Sequence, residues 1–188
     1  MASTFGAVNL AHDFIRQHVQ SGDLCIDATA GRGHDTALLC RLCGPAGQVL
    51  AFDIQPEAVQ STRELLLREE LGNAQVILDS HSNLNRYAQP GSVSCIVFNF
   101  GWLPGGDHSI FTRAETSIAA IQQGMQLLGP NGVMSLCIYY GRDTGFAEKD
   151  ALLEYVRNLD SRACTVIVHE FANRPNCPPI FVSIQKGL

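Results

Sequence analysis

The sequence predicts an α/β fold, a doubly wound, Rossmann-like sheet of seven mostly parallel strands with helices on both faces. Strand-like apolar runs alternate with helix-like segments along the 188 residues, and this order is typical of a parallel sheet covered on both faces. The last two strand-like runs have no helix between them, so we expect one antiparallel strand near the edge. Unusual polar residues directly follow the strand-like runs, at the edge where open α/β sheets bind their ligands.

The first half of the chain contains three helix-like and three strand-like segments. Apolar residues at helical spacing predict the helices, and the third of these opens with Pro56 and stops before Gly72. Runs rich in Val, Ile, Leu and Phe predict the strands. In chain order we expect a helix at 9–19, a strand at 24–29, a helix at 35–43, a strand at 48–54, a helix at 56–71 and a strand at 74–79.

The second half continues the alternation and then breaks it. The sequence GPNG at 129–132 is typical of a turn, so we expect the fifth strand to begin after it. The loop ANRPNCPP joins the last two strands. In chain order we expect a strand at 93–100, a helix at 112–128, a strand at 133–140, a helix at 149–159, and strands at 164–171 and 180–185.

Length and charge limit the classes of protein. We expect one domain over residues 1–188, because the chain is long enough for one buried core and short for two. The formal net charge of −5 argues against a uniformly basic surface that coats nucleic acid, and we expect no DNA partner. Local phosphate sites are still allowed, because 11 of the 13 basic residues are Arg.

Targeting and metal-binding patterns are weak in this sequence. The first 20 residues lack the pattern of a secretory signal, and no apolar run reaches membrane-spanning length, so we expect a cytoplasmic protein with no membrane partner. Four of the seven cysteines lie in apolar strand-like runs. Cys40 and Cys43 have no second pair at metal-binding spacing, and we expect no metal.

Residues 27–36, DATAGRGHDT, form the turn between the first strand and the next helix. Gly31 and Gly33 permit a tight turn against a ligand, and the helix start offers free N–H groups. A dinucleotide fingerprint would place a third glycine where Thr36 stands, which disfavours NAD. The acidic Asp27 suits a cationic amino-acid tail, as in S-adenosylmethionine, and a plain strand-to-helix turn is the alternative. The predicted cofactor-binding residues in this stretch are Asp27, Thr29, Gly31, Gly33, Asp35 and Thr36.

The ends of the second and third strands supply the other predicted cofactor contacts. Asp53 stands 20 positions after the second glycine of the turn, where a carboxylate can accept both ribose hydroxyls of an adenosine. Gln55 follows at the start of the next helix. The sequence DSHSN at 79–83 lies where an adenine edge would bind, and it is equally typical of a polar turn. Ser80 and His81 are the candidates there.

The stretch NFGWLPGGDHS, residues 99–109, ends the fourth strand. Asn99 can accept the N–H bonds of an amine and so aim its lone pair at a methyl donor, and the arrangement resembles the Asn-Pro-Pro-Tyr motif of amino-methylating enzymes. Trp102 either stacks on a base or caps the core. Asp107 is placed to orient the amine or accept a proton, and His108 either assists it or lies on the surface. The predicted catalytic residues are Asn99 and Asp107.

The whole chain resembles the rRNA methylase family of class I S-adenosylmethionine-dependent methyltransferases, which includes enzymes of the tRNA wobble uridine. The resemblance rests on five motifs in this order: DATAGRGHDT, AFDIQPEAVQST, NFGWLPGGDHS, YYGRDTGFAEKD and NRPNCPPIF. It implies an enzyme that uses S-adenosylmethionine and no metal. The implied reaction converts 5-aminomethyluridine, usually thiolated, into 5-methylaminomethyluridine at the wobble position of tRNA.

On this interpretation the partner is the tRNA anticodon stem-loop. The wobble base leaves its stack at modest cost, because anticodon loops are single-stranded, and is held by Trp102 together with Tyr140. Three arginines are candidates for the flanking phosphates, with solvated surface charge as the alternative. They are Arg113, Arg142 and Arg174.

Two residues depart from the pattern of the family. Arg32 stands where Asn is usual, beside the cofactor turn, and Arg142 stands where His is usual. An Arg cannot act as a base at neutral pH, but it can hold a phosphate. We therefore assign Arg142 to RNA binding and leave any base to Asp107 or to solvent.

Other functions fit parts of the sequence. An rRNA methyltransferase or a small-molecule amine methyltransferase would use the same motifs, and the acidic composition suits the latter. A catalytically impaired cofactor-binding module is disfavoured, because the cofactor turn, Asp53 and Asn99 are all present. An acidic monomer of this size offers little surface to an anticodon stem, so a homodimer sharing one tRNA is a further option.

Overall fold

Runs of aliphatic and aromatic residues build one sheet that is buried on both faces. The computed structural model describes residues 5–102, 112–141 and 145–187. The strands are β1 (Leu24–Asp27), β2 (Gln48–Asp53), β3 (Ala74–Leu78), β4 (Val93–Phe100), β5 (Leu128–Ile138), β6 (Cys164–His169) and β7 (Ile180–Lys186). The helices are α1 (Ala7–His18), α2 (His34–Cys43), α3 (Pro56–Arg68), α4 (Ala114–Leu127) and α5 (Gly145–Arg157), with a 3-10 turn at His81–Arg86.

The seven strands follow the order β3-β2-β1-β4-β5-β7-β6. The neighbours from β3 to β5 pair in parallel, and β7 runs antiparallel to both β5 and β6. The predicted doubly wound sheet with one reversed strand near its edge is therefore confirmed. None of the described helices is long and apolar enough to span a membrane.

The start of β5 differs from the prediction. The strand begins at Leu128 rather than after GPNG, because Leu128 pairs with Val93 before the register shifts and Val133 pairs with Cys95. The turn-like residues are thus accommodated as an irregularity inside the strand, with Asn131 at a φ of 60°. The local sequence is the same for a turn that precedes a strand and for an irregularity inside one. Pairing with the neighbouring strand decides between the two.

Alternation along β4 separates two apolar cores. Ile96, Phe98 and Phe100 belong to the core under α4 and α5, whereas Cys95 and Val97 belong to the core under α2 and α3. Successive side chains of a strand point to opposite faces. Asn99 therefore continues the series of Cys95 and Val97 and faces the side of the sheet that α1, α2 and α3 cover.

The strand order reverses between β1 and β4. The chain builds β1, β2 and β3 outward in one direction and then returns to place β4 on the other side of β1. The loops that follow β1 and β4 consequently meet at the carboxyl edge of the sheet, which is where doubly wound sheets bind their ligands.

Candidate active site

The turn after β1 is held against α3. Gly33 is the N-cap of α2 with a φ of 83°, a left-handed conformation that favours glycine. A Cβ atom at this position would lie 3.0 Å from the Thr62 Cα atom. Thr62 is buried and its hydroxyl donates to the Gly31 carbonyl at 3.2 Å. The glycine thus lets the turn pack directly on α3, with the N-terminus of α2 at the ligand-binding edge.

Asp27 lies fully buried beneath this turn. Its carboxylate accepts a hydrogen bond from the Thr36 hydroxyl at 2.6 Å and one from the Thr29 N–H at 3.2 Å. Burial, and then the negative charge of Asp35, raises the pKa of Asp27 to about 7. Asp27 therefore braces the turn from below, and its charge changes near neutral pH.

Asp53 links the end of β2 to the same turn. One carboxylate oxygen accepts from the Gly31 N–H at 2.9 Å and the other from the Gln55 N–H at 2.9 Å. Burial raises the pKa of Asp53 in spite of these bonds. Gln55 is the N-cap of α3, and the side chain of Ile54 between them is exposed. Asp53 thus lies next to the turn and precedes the exposed apolar side chain of Ile54.

The segment after β3 forms a 3-10 turn. The Ser80 hydroxyl accepts from the Ser82 N–H at 3.2 Å, and Asp79 accepts from the Asn83 amide and the Tyr87 hydroxyl, both at 2.8 Å. His81 is buried against the rings of Phe98 and Phe100, and burial lowers its pKa to about 4. Its Nε2 atom has no hydrogen-bond partner among the described residues. The side chains of DSHSN thus form the hydrogen bonds of a polar turn, which is one of the two interpretations of this segment. The cofactor roles of Ser80 and His81 stay predictions.

Asp35 joins the cofactor turn to the end of β4. Its Oδ2 atom accepts from the Asn99 Nδ2 at 2.7 Å, and its Oδ1 atom lies 2.7 Å from the His12 Nε2. Burial alone would raise the pKa of Asp35, but the hydrogen bonds from His12 and Asn99 outweigh it and hold the pKa below its usual value. The carboxylate is therefore ionised. Sequence reasoning missed His12, which lies in α1 outside every motif.

The Asn99 side chain is fixed in one orientation. An ionised carboxylate only accepts hydrogen bonds, so the atom facing Asp35 must be the amide nitrogen. The Asn99 backbone N–H donates to the Thr29 hydroxyl at 2.7 Å. The Asn99 Oδ1 atom accepts no hydrogen bond from any residue in the described ranges. This oxygen is consequently available to accept an N–H from a ligand.

A cavity of about 300 Å³ lies over this network, within the range of small-molecule sites. It is lined by Val8, Thr29, Ala30, Gly31, Arg32, His34, Asp35, Asn99, Trp102 and Tyr139. Trp102 and Tyr139 provide its aromatic walls. The structure therefore brings the predicted cofactor turn, Asn99 and Trp102 into one pocket.

Tyr139 forms the second aromatic wall of the cavity, and the predicted contact of Tyr140 with the base stays a prediction. Tyr140 faces the other side of the sheet, where its ring packs on Phe146 at 5.6 Å between ring centroids and lies 5.1 Å from the Lys149 ammonium. Gly101 has no side chain, and a Cβ there would lie 3.0 Å from the Tyr139 Cβ. The backbone after β4 can thus approach Tyr139 closely.

A known family matches most of this chain. The family described as "Putative rRNA methylase" matches residues 49–185. The chain belongs to this family. A chloroplastic tRNA (mnm5s2U34)-methyltransferase of Arabidopsis thaliana is 31% identical over 190 aligned residues, which cover 96% of this chain and 69% of the relative. The ribosomal RNA small subunit methyltransferase H of Acidobacterium capsulatum is 37% identical over 99 residues, or 49% of this chain and 33% of the relative.

Two solved structures of methylases or methyltransferases match the fold over nearly the whole chain. A "putative rRNA-methylase" from Clostridium thermocellum is 42% identical with a TM-score of 0.95, and the match covers 98% of this chain and 99% of that one. A "putative methyltransferase" from Streptococcus mutans in complex with SAH is 36% identical with a TM-score of 0.89 over 98% and 99% of the two chains. The protein is an S-adenosylmethionine-dependent methyltransferase with a Rossmann-like fold.

The donor set of the methyltransferase pocket fits this cofactor. Asp35 lines the pocket, and its hydrogen bonds from His12 and Asn99 hold its pKa below the usual value, so its negative charge suits the positive sulfonium and ammonium groups. Asp53 and the exposed Ile54 stand at the edge where the sequence places the ribose. The roles of the individual cofactor-binding residues stay predictions.

Two of the predicted phosphate contacts, Arg113 and Arg174, do not line the pocket. Arg113 is exposed at the N-terminus of α4, and Arg174 packs over the Phe171 ring at 3.8 Å and donates to the Phe5 carbonyl at 2.6 Å. Asp107, His108 and Arg142 lie outside the described residues.

Gly101 and Thr112, on either side of residues 103–111, are hydrogen-bonded to each other. The Thr112 N–H donates to the Gly101 carbonyl at 3.0 Å, and the Gly101 N–H donates to the Thr112 hydroxyl at 2.8 Å. That hydroxyl donates in turn to the buried Glu148 at 2.8 Å, which also accepts from Ser117. Glu148 belongs to the family-like segment YYGRDTGFAEKD, and its contacts connect that segment to the end of β4.

Proposed function

We propose that this methyltransferase acts on RNA and methylates the 5-aminomethyl group of the tRNA wobble uridine. The observation that supports the proposal is the Asn99 Oδ1 atom, which accepts no hydrogen bond from the described residues, in a side chain that lines one pocket together with Trp102 and Tyr139. The name of the 31% identical Arabidopsis relative, a tRNA (mnm5s2U34)-methyltransferase, supports the same substrate. The RNA partner would be the anticodon stem-loop.

Asn99 selects an amine in a reactive state. Its amide oxygen can accept an N–H bond from the neutral amine and so direct the nitrogen lone pair away from itself. A carboxylate at this position would instead retain the protonated amine, which has no lone pair to donate. Because both oxygens of Asp35 already accept hydrogen bonds, the group that faces the amine is the uncharged amide.

The bound cofactor supplies an electrophilic methyl group: the N–C bond forms as the C–S bond breaks, the electron pair goes to sulfur, and S-adenosylhomocysteine leaves. The protein holds the amine in line for this transfer through Asn99. The methylated nitrogen then carries a positive charge and releases a proton to solvent.

The aromatic walls suit a base that has left its stack. Stacking of a base on an aromatic ring contributes about 1–3 kcal/mol. Trp102 and Tyr139 both line the pocket that Asn99 borders, and they offer such rings. Arg113 stands at the same carboxyl edge of the sheet and could hold a phosphate next to the flipped base.

The decisive experiment supplies labelled S-adenosylmethionine and RNA from cells that lack the last wobble-uridine methylation. The RNA is then digested and the labelled nucleoside identified. We expect label in 5-methylaminomethyluridine or its 2-thio form, incorporated about 100-fold or more slowly with Asn99→Ala. Label confined to rRNA, which is the alternative suggested by the second relative, or label only in a small amine, would reject the tRNA proposal.

A homodimer sharing one tRNA stays a prediction for this chain. Light scattering coupled to size-exclusion chromatography, with and without an anticodon stem-loop, measures the masses of both species. A complex of two protein chains with one RNA is the expected mass.

A further inference from the structure

Helix α1 presents one face to the sheet and an adjacent one to the pocket. Ala7, Ala11 and Ile15 are buried against the sheet. Val8 and His12 lie one turn apart, so their side chains share a face. Val8 lines the cavity, and the His12 ring reaches Asp35 at its border. Helix α1 is therefore a wall of the active site as well as a cover for β5 and β7.

The hydrogen bonds between His12, Asp35 and Asn99 have only one consistent direction. Asp35 is an acceptor at both oxygens, so the His12 Nε2 atom must carry a proton. The side chains of His12 and Asp35 are 23% and 15% exposed, so the bond is largely shielded from water. His12 and Asn99 thus both donate to Asp35, and the Asn99 side chain also lines the pocket.

We propose that His12 is a positioning residue for methyl transfer, acting on Asn99 through Asp35. This inference rests on the proposed amine methylation. His12 holds one oxygen of Asp35, which fixes the plane of the carboxylate. The second oxygen then holds the Asn99 nitrogen, and the Asn99 oxygen is left to accept the amine N–H. His12 itself touches neither the amine nor the methyl group.

Loss of His12 should impair the reaction more than binding. Without its partner the Asp35 carboxylate can rotate, and the Asn99 amide can turn so that its NH₂ group faces the amine. The Asn99 NH₂ group and the amine N–H are then both donors and form no hydrogen bond. The lone pair of the amine nitrogen is no longer directed at the methyl group. Small misalignments of this kind reduce rates by up to about 100-fold. The cofactor turn keeps its other contacts, from Asp27, Asp53 and Thr62.

The test measures kcat, the KM for tRNA and the Kd for S-adenosylmethionine in the wild-type protein, in His12→Ala and in His12→Gln. His12→Ala should lower kcat about 10- to 100-fold and leave KM and Kd within about threefold. His12→Gln keeps an N–H donor at the same distance from Cβ and should recover most of the rate. When His12→Ala is added to Asn99→Ala, kcat should fall by a further factor of less than about two.

His18→Ala is the matched control. His18 lies on the same helix, and its Nδ1 atom bonds the Phe14 carbonyl at 2.8 Å, away from the pocket. We expect a wild-type kcat for this variant. A wild-type kcat in His12→Ala, a loss confined to KM, or losses that add fully with Asn99→Ala would each overturn the inference.

A substrate-free measurement separates this inference from the proposed function. The side-chain NH₂ resonances of Asn99, assigned by their loss in Asn99→Ala, should shift in His12→Ala and return toward wild type in His12→Gln. Unchanged resonances in His12→Ala would reject the positioning role even if tRNA methylation is confirmed. If wild-type protein fails to methylate tRNA while the resonances shift as expected, the substrate proposal fails and the positioning of Asn99 stands.

Discussion

Asp27 should make the free energy of unfolding depend on pH, and an Asp27→Asn variant should lose that dependence. The carboxyl group is fully buried between the hydroxyl of Thr36 and the N–H of Thr29. Burial, followed by the charge of Asp35, raises its pKa from an ordinary value of 3.8 to about 7. The folded protein therefore keeps this proton over a range in which the unfolded chain releases it.

The sign and size of the effect follow from the two pKa values. Below pH 3.8 both states are protonated and the stability linked to this proton is fully present; it is lost as the pH rises through about 7. A shift of about 3 pH units corresponds to a difference on the order of 4 kcal/mol in the free energy of unfolding. Asp35 contributes in the opposite direction, because its pKa is lowered in the folded state. The comparison with Asp27→Asn isolates the Asp27 contribution.

Urea unfolding followed by circular dichroism at several pH values between 4 and 8 measures the effect. The wild-type protein should lose on the order of 4 kcal/mol more stability across this range than Asp27→Asn. Asp13→Asn removes an exposed carboxyl on α1 and controls for the change in net charge. Parallel pH profiles for wild type and Asp27→Asn would refute the assignment of a raised pKa to this group.

Three further predictions concern the reaction, the turn and the RNA surface. Asn99→Ala should lower kcat by about 100-fold or more while the Kd for S-adenosylmethionine, measured by calorimetry, changes little; a wild-type rate would remove Asn99 from the mechanism. Gly33→Ala should destabilise the protein by about 1–3 kcal/mol in urea unfolding, because it forces a φ of 83° on alanine and crowds Thr62; an unchanged midpoint would contradict this. Arg113→Ala should reduce the slope of log Kd for tRNA against log salt by about 1, whereas Arg157→Ala, at the opposite edge of the sheet, should leave it unchanged. Equal slopes in the two variants would exclude a specific phosphate contact at Arg113.

Sequence alone was sufficient for the architecture of the sheet. The bounds of β4 agree with the prediction, and the missing helix between β6 and β7 correctly indicated the reversed strand. These features depend on local patterns, namely apolar runs, turn residues and the presence or absence of a crossover helix. The early start of β5 was missed because it depends on pairing with Val93, which no local pattern records.

Tyr139 could have been found from the sequence. Asn99 pairs with Cys137, and paired residues of neighbouring strands point to the same face. Counting two positions onward from Cys137 leads to Tyr139, whereas Tyr140 must face the opposite side. Nearness to the end of the strand does not distinguish Tyr139 from Tyr140. The alternation of side chains along a strand does, because it places Tyr139 on the same face as Asn99.

His12 could not have been found in the same way. Its contact with Asp35 spans 23 positions and depends on the angle at which α1 crosses the sheet. That angle is set by the packing of Ala7 and Ala11 on Cys137 and Phe181, residues from strands far along the chain. The sequence marks α1 as amphipathic and leaves open which of its polar residues reaches the site.

The position of Asp35 connects the two halves of the site. The turn after β1 and the end of β4 were predicted separately, one for the cofactor and the other for the amine. Asp35 belongs to the turn and holds the Asn99 amide, while Thr29 of the same turn accepts the Asn99 backbone N–H. Because both contacts are 2.7 Å long and part-buried, the turn after β1 and the end of β4 are held together through one carboxylate and one hydroxyl.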